Sequence, residues 1–282
     1  MSEVTPITAA SKNTLPVLPG AKILLVGGSG TGKTYSLRTL IDAGLKVAVV
    51  FTDPGMEAVI DVPCEKGFHW RYTPPFAPDW TQLLTNAENI NKLSNKALQE
   101  LSDPNRSKYR EWFDFISAMS NFKCERCGLQ VGPLDKLNYE WAVVNDGLSG
   151  ISIMSRHLAV GGKAIMSQPD WGVAMDNIEK YMMLFTGGIK SFGVMISHLE
   201  RETDEITGGI TLMASTLGRK LAPKLPRMFS DVVQARREGT KFVWSTATFN
   251  VDLKARNLPI ADNMQPTFVP LVEEWRRKQG VK

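Results

Sequence analysis

The chain has 282 residues, of which 43% are hydrophobic and 22% are charged, with a net charge of +4 and three cysteines. These values are typical of a globular protein with a buried α/β core, and they exclude a disulfide framework. No apolar run approaches the ~20 residues that span a bilayer, and no secretion signal is evident, so we expect a cytoplasmic protein. The mild positive charge permits a nucleic-acid partner without requiring one.

The first informative pattern follows residues 1–19, a stretch rich in Ser, Thr and Pro that predicts a flexible leader. An apolar run over 21–26 predicts a buried strand, and residues 27–34 then match GxxxxGK(S/T) at every position. A helix is predicted over 35–43. Between a strand and a helix, the N–H groups of such a loop and the helix N-terminus bind phosphates. The sequence therefore predicts a nucleoside triphosphate site, the alternative being a merely Gly-rich turn.

Two side chains of this loop have specific predicted roles. Lys33 is expected to reach the β- and γ-phosphates, and the Thr34 hydroxyl is expected to bind Mg²⁺. The residues expected to contact the nucleotide are Gly27, Gly28, Ser29, Gly30, Thr31, Gly32, Lys33, Thr34 and Tyr35.

A second apolar run, over 46–52, ends at Asp53 and a Pro-Gly turn signal. Open parallel sheets bind ligands at the carboxyl ends of their strands. Asp53 is therefore the first candidate for the group that orients or deprotonates the attacking water, and Glu57, one turn further on, is the second. The structural alternative is that Asp53 only closes a turn with Pro54 and Gly55.

Residues 61–137 differ in composition from the apolar runs on either side. They are rich in Pro and polar residues, and helical patterns are predicted over 80–101 and 109–122. We interpret this stretch as an insertion into a core that extends over 20–270, and not as a separate domain.

The same stretch contains a possible metal site. Cys124 and Cys127 have the Cys-x-x-Cys spacing of half a zinc site, and Cys64 with His69 could supply the other two ligands. The alternative is that free thiols simply pack a small insertion.

A third apolar run, over 141–146, ends in Asp146. In phosphate-loop folds we expect this strand to lie adjacent to the phosphate loop, which would place the Asp146 carboxylate beside the Mg²⁺. The alternative is that Asp146 only caps the helix that follows.

The chain continues with helices predicted over 151–158 and 173–185 and a fourth strand over 192–198. His198 ends this strand at the ligand edge, where a polar side chain can sense the γ-phosphate and couple hydrolysis to shape. The alternative is an ordinary surface histidine at a strand end.

The C-terminal part is predicted to begin with a hairpin around Gly208 and Gly209. A basic helix over 216–225, two further strands over 231–237 and 241–247, and a basic tail over 271–282 follow. Alternating strands and helices followed by hairpins predict a three-layer α/β/α fold with a mostly parallel sheet and antiparallel edge hairpins.

This basic region could supply an arginine or lysine finger to the γ-phosphate of a neighbouring subunit. Other cations there could contact a nucleic-acid backbone, and a basic helix face can also be merely solvated. The finger candidates are Arg219, Lys220, Lys224 and Arg236.

Taken in chain order, the motifs resemble the RecA-like ATPases encoded by bacteriophages, some of which act in single-strand annealing or recombination. Besides the phosphate loop, the motifs that carry the resemblance are TDPG at 52–55, VVND at 143–146, QPDWG at 168–172, SHLER at 197–201, LGRKLA at 217–222 and LPRMF at 225–229. The resemblance covers about residues 20–60 and 138–270.

The resemblance implies a RecA-like core, ATP with Mg²⁺, subunits arranged in rings or filaments, and single-stranded DNA as a partner. Lys33, Thr34 and Asp146 match the loop and metal positions, and His198 falls where the family has its γ-phosphate sensor. The chain departs from the family pattern at Asp53, where a Glu is usual, and at Asn145, where a second apolar residue is usual.

Two other classes of function remain open from the residues. Many phosphate-loop proteins are nucleoside kinases, although these usually carry an Arg-rich lid. A non-enzymatic nucleotide switch, or a loader that releases a partner on hydrolysis, is also open, because Asp53 stands where the family usually has the Glu that activates water.

Overall fold

The computed structural model describes residues 18–100, 109–161, 165–203, 209–218 and 220–280. The predicted leader, except for its last two residues, and the positions Gly208 and Arg219 therefore lie outside the described residues. Within those ranges, no helix has the length and apolar character needed to cross a membrane.

The described residues contain ten strands, of two to twelve residues. In chain order they are β1 (Lys22–Gly27), β2 (Lys46–Phe51), β3 (Phe68–Tyr72), β4 (Phe122–Lys123), β5 (Gln130–Gly132), β6 (Trp141–Asp146), β7 (Phe192–Thr203), β8 (Ile210–Ala214), β9 (Asp231–Glu238) and β10 (Lys241–Ser245).

The described part of the chain forms one main sheet of eight strands, in the order β10-β9-β1-β7-β6-β2-β3, with β8 paired to the outer part of β7. The β10–β9 and β7–β8 pairs are antiparallel, and the other pairs in this sheet are parallel. A separate small hairpin joins β4 to β5.

The α-helices lie on both faces of the main sheet. They are α1 (Lys33–Ser36), α2 (Thr39–Asp42), α3 (Trp80–Lys92), α4 (Asn95–Glu100), α5 (Glu111–Ser120), α6 (Leu148–Val160), α7 (Gln168–Met183), α8 (Leu225–Met228) and α9 (Val269–Gln279).

Two apolar cores result from this arrangement because β1, β2 and β6 bury nearly every residue, as covered parallel strands do. On one face, side chains of α5, α6 and α7 pack against Leu24 and Val143. On the other face, side chains of α2 and α9 pack against Leu25 and Val144. The predicted three-layer α/β/α architecture, with a mostly parallel sheet and antiparallel edge hairpins, is confirmed.

β6, which ends at Asp146, is separated from the loop strand β1 by β7. The predicted end of the fourth strand is wrong: β7 does not end at His198 but continues to Thr203, since its outer residues find a new partner in β8. This pairing agrees with the predicted hairpin. In addition, β3 lies within the stretch 61–137 but pairs with β2 in the main sheet.

Two predicted helices also differ from the structure. The helix predicted over 35–43 is divided into α1 and α2 by a tightened turn, in which the Leu40 N–H donates to the Leu37 carbonyl at 3.1 Å. The prediction of a basic helix over 216–225 is wrong. The described residues form turns, a 3₁₀ helix over Ala222–Lys224 and then α8. Gly218 has a φ of 74°, and the two prolines that follow lack the N–H groups that a longer helix needs.

Candidate nucleotide-binding site

The phosphate loop forms a closed turn between β1 and α1. Gly30 and Gly32 adopt φ values of 70° and 80°, which residues with a Cβ rarely tolerate. The Lys33 ammonium lies inside the turn and donates to the carbonyls of Gly27 at 2.9 Å and Gly28 at 2.7 Å. Burial lowers the pKa of Lys33 to about 8, and the charge of Asp146 opposes this shift. The loop thus encloses a buried cation.

Thr34 and Asp146 bring two oxygen donors together beside that cation. The Thr34 hydroxyl donates to Asp146 Oδ2 at 2.7 Å. Burial raises the pKa of Asp146 to about 6; the Thr34 hydrogen bond lowers it and the charge of Asp53 raises it further. A hydroxyl and a buried carboxylate are hard oxygen ligands, so the pair fits Mg²⁺. The β6 carboxylate reaches Thr34 even though β7 separates its strand from β1.

Asp53 lies where the end of β2 meets the start of α6. Its Oδ2 accepts a hydrogen bond from the Ser149 hydroxyl. The neighbouring Thr52 hydroxyl donates to the Gly147 carbonyl at 2.5 Å. These bonds fix the half-buried Asp53 carboxylate close to Asp146. The sequence analysis did not predict that Ser149 and Thr52 hold this site together. The available signal was that Thr52 precedes Asp53 and Ser149 closely follows Asp146.

Gly147 is required for this close approach. It has a φ of 122°, and a Cβ at this position would lie 2.5 Å from Thr52 Oγ1 and 2.7 Å from the Asp53 carboxyl carbon. A side chain here would push the two acidic strand ends apart.

We therefore expect Gly147→Ala to lower the free energy of unfolding by roughly 2–4 kcal/mol, because it combines backbone strain with a clash in a buried site. Gly172→Ala is the matched control, since Gly172 lies in α7 with no atom within 4 Å of an added Cβ. That control should be neutral or stabilise by up to about 1 kcal/mol. Denaturant titration of both variants measures the difference, and equal stabilities would contradict the expectation.

His198 lies beside the phosphate loop, paired in register with Gly27 of β1. Burial and then the charge of Lys33 lower the pKa of His198, while Asp53 raises it. A neutral imidazole near Lys33 can accept or donate one hydrogen bond without adding charge. It is therefore suited to report on an anion bound to the loop.

Two aromatic side chains, one of them not predicted, form part of the walls of the cleft, which has a volume of about 450 Å³. Tyr35 is 53% exposed, and the Arg38 guanidinium lies 3.9 Å from the centre of its ring. Phe242, from β10, would lie 3.2 Å from a Cβ added at Gly32. Flat apolar faces of this kind can stack on a nucleobase. Sequence reasoning missed Phe242, because nothing local links β10 to the loop.

The remaining predicted residues occupy different surroundings. Glu57 is exposed on the one-turn 3₁₀ helix Met56–Ala58 and is not among the residues that line the cleft, whereas Asp53 is. Lys224 forms an ion pair with Glu179 at 2.9 Å. Arg236 pairs with Asp262 and, at 3.1 Å, with Glu238. Lys220 is exposed, and Arg219 lies outside the described residues.

The four predicted zinc ligands lie together although they are far apart in the chain. Their ligand atoms are all within 4.8 Å of one another. The sulfurs of Cys64 and Cys124 are 3.9 Å apart, and Cys127 Sγ lies 3.5 Å from His69 Nδ1. Burial raises the pKa of Cys64 to about 12, with hydrogen bonding to Cys127 as the next cause.

Comparison with known proteins adds little to this picture. No protein-family model matches the chain, and no curated protein matches it. Among solved structures, the chain is similar to the crystal structure of the RadB recombinase, with 14% sequence identity and a TM-score of 0.30. The similarity covers 83% of this chain and 84% of that chain.

Proposed function

We propose that this chain binds ATP with Mg²⁺ in the cleft formed by the carboxyl ends of β1, β2 and β6 and the middle of β7, and hydrolyses it. The observation that carries the proposal is the 2.7 Å contact between Thr34 of the phosphate loop and Asp146. It places a loop hydroxyl and a buried carboxylate side by side, next to the Lys33 ammonium. Phosphoryl transfer depends mainly on such positioning of charge.

Lys33 would stabilise the charge that develops on the transferred phosphoryl group. Its ammonium donates to two loop carbonyls. Anionic phosphate oxygens are stronger acceptors than these carbonyls, so a bound triphosphate would draw the same donors without moving the backbone. The adjacent pair Thr34 and Asp146 would hold the Mg²⁺ that neutralises phosphate charge.

Asp53 is the residue that we assign to the attacking water. Ser149 engages its Oδ2, so the carboxylate is held in one orientation and Oδ1 would accept the hydrogen bond from water. Asp146 would not take this role, because its carboxylate accepts a hydrogen bond from Thr34 and would bind the metal. His198, beside the loop, would sense whether the γ-phosphate is present.

The family resemblance supports the finer part of the proposal: a phage-encoded ATPase that assembles as a ring or filament on single-stranded DNA in an infected bacterium. Residues 166–171, between α6 and the body of α7, are a candidate region for DNA contacts, and α7 begins within them at Gln168 behind a capping box of Ser167 and Asp170. Trp171 is 37% exposed in its first turn and would offer a stacking surface. The exposed Lys220 and the unassigned Arg219 are the better candidates for a finger, since Lys224 and Arg236 are engaged within the chain.

Phosphate release from ATP, measured with and without Mg²⁺ and single-stranded DNA, tests the proposal. We expect Mg²⁺-dependent hydrolysis that DNA accelerates, with a stimulation that weakens as salt rises. Turnover that requires a nucleoside acceptor would instead identify a kinase. Tight ATP binding with no turnover under any condition would identify a nucleotide switch or loader.

Asp53→Asn tests the role of the water-positioning carboxylate. We expect hydrolysis to slow by about 100-fold while ATP affinity changes by less than about 3-fold, because the amide keeps the shape but cannot accept a proton. Asp114→Asn, at an exposed position of α5, is the matched control and should keep the full rate. An Asp53→Asn variant that hydrolyses ATP normally would shift the role to Glu57.

A further inference from the structure

We propose that Cys64, His69, Cys124 and Cys127 bind one structural Zn²⁺, which fastens the β4–β5 hairpin to the edge of the main sheet. The proposal is independent of ATP hydrolysis, because the cluster lies outside the residues that line the nucleotide cleft. It depends on three observations: the type of donors, their mutual distances and the way the surrounding backbone holds them.

The donor set and its spacing suit tetrahedral zinc. Three thiolates and one imidazole are a common structural set, with Zn–S near 2.3 Å and Zn–N near 2.0–2.1 Å. Tetrahedral angles with those bond lengths give S–S distances of about 3.8 Å and S–N distances of about 3.6 Å. Two of the pairs here lie at those distances, 3.9 Å between Cys64 and Cys124 and 3.5 Å between Cys127 and His69, and all four ligand atoms lie within 4.8 Å of one another. A disulfide would require ~2.05 Å between sulfurs.

The ligands come from three separate backbone elements that other bonds hold in place. Cys64 begins the 3₁₀ helix Cys64–Lys66, His69 lies on β3, and the last two ligands lie in the turn between β4 and β5. Gly128, with a φ of 72°, closes that turn by donating its N–H to the Cys124 carbonyl at 3.0 Å. The packed backbone therefore holds the four donors close together.

The hairpin is also joined directly to β3. The Glu125 N–H donates to the Trp70 carbonyl at 3.0 Å, which keeps the turn next to His69. Cys64, His69 and Cys124 are buried, whereas Cys127 is exposed. A buried set with one exposed ligand gives a metal ion a path of entry while shielding most of the bound thiolates.

The position of the cluster gives the metal a structural consequence. Arg126, between the two hairpin cysteines, donates to the carbonyls of Ile60 and, at 2.7 Å, Val62. Asp61, between those two residues, forms an ion pair at 3.0 Å with Arg38, which follows α1. The metal would thus hold residues 60–62, which lie between β2 and β3, in place next to the hairpin.

Metal analysis of the full-length chain, purified in reducing buffer without chelator and without nucleotide, tests the proposal. We expect about one zinc per chain, together with tetrahedral thiolate absorption bands when Co²⁺ replaces zinc. Removing zinc should lower the melting temperature by roughly 10 °C, since the metal binds only the folded chain.

Matched variants locate the site. Cys127→Ser should lose most of the zinc, whereas His69→Cys should keep one zinc and the tetrahedral Co²⁺ spectrum, because it replaces one good ligand by another. His198→Gln, which changes a histidine outside the cluster, should keep the full zinc content. Because zinc is measured without nucleotide, loss of ATPase activity in any variant does not affect the result.

Several outcomes would overturn the proposal. These are less than about 0.2 zinc per chain after refolding with zinc, an octahedral Co²⁺ spectrum, or a Cys64–Cys124 disulfide found by mass spectrometry of the unreduced protein. Full zinc content in Cys127→Ser would also do so. If the serine variant fails to fold, the Co²⁺ spectra of the unmodified chain and of His69→Cys still decide the question.

Discussion

Replacing Lys33 with alanine is expected to slow ATP hydrolysis by at least about 1,000-fold, the largest effect of any single substitution in the cleft. The ammonium is buried, it lies inside the phosphate loop, and it donates to the carbonyls of Gly27 and Gly28. Its removal deletes the positive charge closest to the transferred phosphoryl group. It also leaves those two carbonyls facing the phosphates without a donor between them.

Steady-state phosphate release and ATP binding by calorimetry measure the two parts of this effect. Lys92→Ala, at an exposed position of α3, is the matched control and should keep the full rate. Thermal unfolding of both variants separates loss of chemistry from loss of folding. A Lys33→Ala rate within 10-fold of the unmodified chain would show that the loop does not hold the reacting phosphates.

Asp146→Asn is expected to have two effects of opposite sign. Hydrolysis should fall by at least about 100-fold, because the carboxylate next to Thr34 is lost as a metal-side group. The stability of the nucleotide-free, metal-free protein should rise at alkaline pH, because a buried carboxylate no longer has to ionise. The same residue would therefore limit stability and enable activity.

The pH dependence follows from the direction of the pKa shift of Asp146. Burial raises the pKa from 3.8 to about 6 in the folded state, so the folded protein binds the proton more tightly than the unfolded chain. The stability linked to this proton is fully present below pH 4 and is lost as pH rises through 6. We expect Asp146→Asn to gain roughly 1–3 kcal/mol at pH 8, and less as pH falls toward 4. Denaturant titrations at several pH values measure this, and a gain that does not vary with pH would contradict it.

The sequence was sufficient to predict features that local pattern determines. The phosphate loop follows a fixed spacing, and the apolar runs before Asp53 and Asp146 indicate buried strands whose carboxyl ends share one edge. The three-layer fold follows from the alternation of strands and helices. These predictions need no knowledge of which strand pairs with which.

Features that depend on long-range pairing could not be predicted. The position of β7 between β1 and β6 is set by packing across the whole sheet, and so is the contact of Phe242 with the loop. Lys224 pairs with Glu179, 45 residues away, and Arg236 pairs with Asp262, 26 residues away, so these partners leave no local signal. For the metal cluster, Cys-x-x-Cys indicated one half, but His69 joins it only because β3 pairs with β2 and places that residue opposite Ala48.

β7 extends beyond the point where its pairing with β1 ends. The strand has 12 residues, and His198 is the last of them to pair with β1; from Leu199 onward the partner is β8. The five residues beyond His198 extend for about 17 Å, at ~3.3 Å per residue, and are paired with β8. If this part of β7 tilted by about 5° at His198, its far end would move by roughly 1.5 Å. Occupancy of the phosphate loop could thus be converted into displacement at a surface well away from the nucleotide, without unfolding any element.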